Sequence, residues 1–112
     1  MEYNRLNAYH IMWLFVFFDL PTNTKKERKA ASGFRKELLK DGFTMMQFSV
    51  YIRHCASGES GEVHAKRIKS LVPEKGKISI LRITDKQYGD IMNFWGIKEK
   101  PLPDAPRQLE IF

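Results

Sequence analysis

Residues 12–21 read MWLFVFFDLP. Seven apolar residues, Met12 to Phe18, end abruptly at a carboxylate, Asp19, with Leu20 and Pro21 directly behind it. A short apolar run bounded by a turn signal reads as a buried strand. Asp19 therefore falls where the chain leaves a sheet, and an acid at that point needs a reason.

Downstream, residues 25–40, KKERKAASGFRKELLK, hold seven Lys or Arg against two Glu, a local charge of +5. Thr24 followed three residues later by Glu27 forms a capping box that starts a helix, and Gly42 after Asp41 supplies its stop. At helical spacing Ala30, Ala31, Phe34 and Leu38 share one face. Lys25, Lys29, Lys36 and Lys40 fall on the opposite face. Two readings of that stripe stand side by side: a solvated helix surface, or a row of cations matched to a nucleic-acid backbone.

Residues 43–54, FTMMQFSVYIRH, alternate. Met46, Phe48, Val50 and Ile52 point one way, while Met45, Gln47, Ser49, Tyr51 and Arg53 point the other. The run is long for one strand, so a break near 47–49 into two is expected. ASGESG, residues 56–61, is a loop with Ser60 as helix cap. A second helix follows over 61–72 with Val63, Ile68, Leu71 and Val72 inward, and Pro73 closes it. KISILRIT, residues 77–84, is β-branched and apolar on both faces, the signature of a central strand. YGDIMNFW, residues 88–95, reads as a short extra strand. The tail from residue 97 carries three prolines and ends in QLEIF, whose alternation suits a docking edge strand.

The order strand, helix, strand, strand, helix, strand is the split βαβ pattern of ferredoxin-like α+β folds, an antiparallel sheet with both helices on one face. The expected division is an N-terminal extension over 1–10, a domain over 11–96 and a tail over 97–112. A chain of 112 residues with 43% hydrophobic content is one globular domain. Its longest apolar run is too short to cross a bilayer, and nothing upstream reads as a cleavable signal. A single cysteine, Cys55, fits a reducing cytoplasm. Net charge +6 and pI near 9.6 favour a polyanionic partner.

Asp19 itself has two readings. It can close a turn, as Asp before Leu-Pro often does, although Thr24 already caps the helix. It can instead bind Mg²⁺, which takes carboxylate oxygens and keeps several waters. One Asp is a weak site, but two copies meeting across a twofold axis would make a better one. His54, Cys55 and His64 lack zinc-site spacing and read as structural or exposed.

The assembled pattern resembles the small CRISPR-associated adaptation protein, the second family of the numbered Cas series. VFFDLP on the first strand, the Thr-capped basic helix, the glycine and FTMMQFSVY after it, and the late ISILRIT strand carry the likeness over residues 11–96. The extensions at both ends point to a type II system. The resemblance implies a homodimer seated between two dimers of the CRISPR integrase, the first of the Cas series, holding double-stranded protospacer DNA. It also implies metal-dependent endonuclease activity on RNA or DNA, with Asp19 of each protomer facing its mate around one Mg²⁺ per dimer. Ser49 and Arg53, beside the shared QFSVY core, are the expected supporting residues. Lys25, Lys29, Lys36 and Lys40 would bind nucleic acid. The adaptor role leads, because no second acid and no histidine neighbours Asp19 in the sequence. The alternative is a toxin-type endoribonuclease of the same fold. An RNA-recognition module is disfavoured, since KDGFTMMQF lacks the stacking aromatics that module needs.

Overall fold

A computed structural model describes residues 12–97. The apolar run opens the fold as strand β1, Met12–Asp19. Helix α1 spans Lys25–Lys40, strand β2 Thr44–Gln47 and strand β3 Val50–Cys55. Helix α2 (Gly58–Lys69), strand β4 (Lys77–Thr84) and a short helix α3 (Asp85–Gly89) complete it. The four strands form one antiparallel sheet in the order β2-β3-β1-β4, which is the ferredoxin-like arrangement.

The period of two along β1 sorts its side chains between the faces. Leu14, Val16 and Phe18 meet Phe34 and Leu38 of α1 and Ile68 of α2 in one core, so both helices cover the same face. Phe43, Tyr51 and Cys55 close that core on the β2–β3 side. Register then places Trp13, Phe15, Phe17 and Asp19 on the other face, beside Val50 and Ile52 of β3 and Ser79 and Leu81 of β4.

Helix α1 starts as its sequence predicts. The Glu27 N–H donates to Thr24 Oγ1, and Glu27 Oε1 accepts from the Thr24 N–H, both at 3.0 Å. These bonds hold the Glu27 carboxyl below the usual carboxylate range, the Thr24 backbone N–H first among the causes. Ala31, Phe34 and Leu38 are buried, whereas Ala30 is exposed. Gly42 ends the helix turn at φ +92°, where a Cβ would run into the Arg53 guanidinium.

Several expectations need correction. Helix α2 begins at Gly58 under a Ser57 cap, three residues before the expected start, and Ser60 donates to that cap through its N–H. Gly61, His64 and Ile68 face inward, and Val63 and Val72 are exposed. Strand β4 is an edge strand, not a central one. The expected break in residues 43–54 occurs at Phe48-Ser49, but a register shift between Met45 and Gln47 pairs Gln47 with Val50. Gln47 therefore lies on the Val50 face, not with Tyr51. Residues 88–95 form no strand: α3 ends at Gly89 and no regular element follows over 90–95. The extension over 1–10 and the QLEIF strand lie outside the described residues.

Helix α3 covers part of the face that α1 and α2 leave open. Its Thr84 cap and Gln87 repeat the capping-box bonds. Tyr88 stacks on Trp13 with centroids 3.7 Å apart, and the Trp13 Nε1–H donates to Asp85 Oδ1 at 2.7 Å. Burial, then the charge of Asp85, push the Tyr88 phenol up to about 12.

Candidate nucleic-acid and metal site

Asp19 is the last residue of β1 and is exposed on the face away from α1 and α2. It is paired in register with Lys77, the first residue of β4. The chain reaches β4 through Gly76 at φ +120°, where a Cβ would meet Leu20 at 2.5 Å and the Asp19 carbonyl at 3.0 Å. Only a glycine lets this loop pass so close to the strand end.

Ser49 joins Asp19 at the same end of the sheet. The Phe18 N–H donates to the Ser49 carbonyl at 3.1 Å, tying the β2–β3 turn to the end of β1. Arg53 goes elsewhere. It pairs with Leu14, five residues back along β1, or about 17 Å at strand rise. Its register puts it on the helix-covered face, where its guanidinium lies against Gly42.

Lys25, Lys29, Lys36 and Lys40 are all exposed along the outer face of α1, opposite Ala31, Phe34 and Leu38. One flank of that helix holds a residue the sequence reading passed over. The Arg35 guanidinium lies 5.4 Å from the Phe18 ring centroid and 4.0 Å from that of Phe48. Arg35 and Phe48 are 13 positions apart on different elements, so no local pattern pairs them.

Asp41, His64, Arg67, Cys55 and His54 serve the fold and not the Asp19 end. Asp41, at the end of α1, accepts from His64 Nδ1 at 2.8 Å and from Arg67, both on α2. A carboxylate only accepts, so His64 carries its proton on Nδ1 in this contact. Cys55 is buried in the core, and that burial pushes its thiol up. His54, on the opposite face, packs edge-on to Trp13.

Among the described residues no three His, Cys, Asp or Glu side chains cluster as a metal site. Asp19 therefore offers half a site: one exposed carboxylate that suits Mg²⁺ chemically but needs ligands from a second molecule or from water. No helix among the described residues is long and apolar enough to cross a membrane.

A family model described as CRISPR associated protein Cas2 matches residues 12–91. The chain is 57% identical to a CRISPR-associated endoribonuclease Cas2 of Flavobacterium psychrophilum over 111 residues, covering 99% of this chain and 96% of that one. It is 54% identical to one so named from Parvibaculum lavamentivorans, covering 90% and 100%. A third, from Paracidovorax avenae, is 45% identical over 96% and 99%. On these matches the chain belongs to the Cas2 family.

Proposed function

We propose that this Cas2-family chain is the structural adaptor of a cytoplasmic CRISPR adaptation complex, a homodimer that grips protospacer duplex DNA and bridges dimers of the integrase. The observation that carries the reading is the lysine stripe, four cations exposed along one rigid helix and turned away from the core. Cations fixed on one face release counterions from a phosphate backbone without reading its sequence. The sheet face without α1 and α2 supplies a place for the second copy: Phe17 is 39% and Leu81 49% exposed there. Pairing through that face brings the two Asp19 carboxylates together.

A second activity rests on that pairing. The relatives named above are called endoribonucleases, and two Asp19 carboxylates would hold one Mg²⁺. Such an ion supplies a Lewis acid and an activated water to phosphodiester hydrolysis. Ser49, tied to the same strand end, would orient the phosphate. Arg53 would act on the site only through the packing of β3 beneath the α1–β2 turn.

Two variants separate the roles. With Lys25, Lys29, Lys36 and Lys40 all changed to Gln, duplex affinity should fall alike for every sequence, and the log–log salt slope should shrink by roughly 0.9 per lost contact. An unchanged slope would return the stripe to solvated surface. Asp19→Asn should abolish Mg²⁺-dependent cleavage yet leave duplex binding and spacer integration intact. Loss of integration in a folded Asp19→Asn dimer would contradict the adaptor role.

A further inference from the structure

Phe48 sits at the tip of the β2–β3 turn and is 69% exposed. An exposed aromatic ring at a turn is common; what surrounds this one is not. The Arg35 guanidinium lies 4.0 Å from its centroid, held in turn against the buried ring of Phe18. Arg35 Nε is buried with no hydrogen-bond partner, and at 4.0 Å its guanidinium is within cation–π range of the Phe48 ring. The result is an aromatic ring fixed from the helix side and open on the rest of its surface. Its neighbour Ser49 is bonded through its carbonyl to Phe18, one residue from Asp19.

We propose that Phe48, backed by Arg35, is a stacking platform for an unpaired nucleobase beside the Asp19 strand end. The inference rests on the reading of this chain as a nucleic-acid binder and adds the two side chains that would hold a base at that end. An aromatic face accepts any base, and a cation behind the ring strengthens the platform. Phe48 lies on the Arg35 side of the strand end and Asp19 on the other. A single strand crossing the edge of the sheet can therefore place a base on Phe48 and a neighbouring phosphate near Asp19. A duplex has no free base for the ring, which separates this contact from the lysine stripe.

The test measures binding in the Asp19→Asn background, so that cleavage plays no part. The probes are a labelled single-stranded eight-residue RNA, the DNA of the same sequence, and a blunt DNA duplex. Phe48→Ala should weaken one or both single strands by about tenfold and leave duplex affinity and its salt slope unchanged. The strand that loses more identifies the source of the base. Phe48→Trp should restore the affinity, and an abasic site in the oligonucleotide should reproduce the loss with the unaltered ring. Equal loss on single strand and duplex would overturn the proposal, as would no loss on either single strand. A fall in self-association at unchanged single-strand affinity would also overturn it, because Phe48 would then be an interface residue. Failure of the parent reading looks different, since the protein with Phe48 intact would then bind no probe in a salt-dependent way.

Discussion

The two faces of the sheet are built from alternate residues of one strand and do opposite work. On the helix-covered face Leu14 and Val16 are 0% exposed, sealed by Phe34, Leu38 and Ile68. On the other, Trp13 and Phe15 find Tyr88 of α3, while Phe17 and Asp19 further along the same strand remain exposed. Stability is thus concentrated on one side and at one end. The contrast teaches that the acid at the end of a greasy strand belongs to the end of the open face that α3 leaves uncovered, since Phe15 and Ile52 on that same face are buried.

Stability measurements can break that contrast. Leu14→Ala should cost about 2–5 kcal/mol, because the site is sealed and collapses poorly. Phe17→Ala, measured in urea at concentrations that favour the monomer, should cost far less, since the ring is already partly in water. Similar losses for the two would mean that the open face carries as much of the fold as the covered one. A smaller effect tests the polar tie between the helices. Asp41→Ala leaves buried His64 and its neighbour Arg67 without their shared acceptor, so about 1–3 kcal/mol should be lost. An unchanged urea midpoint would leave apolar packing alone to join α1 to α2.

Much of this arrangement is legible in the sequence, for reasons that differ from element to element. Asp19 at a strand end and the Thr24–Glu27 cap are local signals, and local signals survive folding. The phase of α2 is not local. His64 reads as structural or exposed and Val63 as inward, but Asp41, 23 positions before His64, satisfies the imidazole in the core, and Val63 is exposed. The apolar pattern of β4 suggests a central strand, yet strand order depends on pairings no single segment encodes. Helix α3 did have a signal, Thr84 followed by Gln87, but the aromatic run after it favoured a strand reading. Arg53 stands beside Ser49 in the sequence and far from Asp19 in space because β3 leads it back along β1, onto the other face.

The smallest expected effect lies at the start of α1. Thr24→Ala should cost about 1 kcal/mol, read as a lower urea midpoint. Because folding depresses the Glu27 carboxyl, its contribution is present above the ordinary carboxylate value. It is lost as pH falls through the lowered folded value. Glu27→Gln should therefore flatten the acid limb of the stability curve. A limb unchanged by that variant would assign the acid loss to other carboxylates.

The claim on which the rest depends is that two copies meet through the open face with Asp19 against Asp19. Asp19→Cys treated with a short bifunctional maleimide tests it directly, with Glu37→Cys on exposed α1 surface as control and buried Cys55 protected from the reagent. The account predicts rapid conversion of Asp19→Cys to a covalent dimer at micromolar protein, with Glu37→Cys remaining largely monomeric. Equal yields for the two variants, or an Asp19→Cys chain that stays monomeric while its thiol is fully modified, would contradict it.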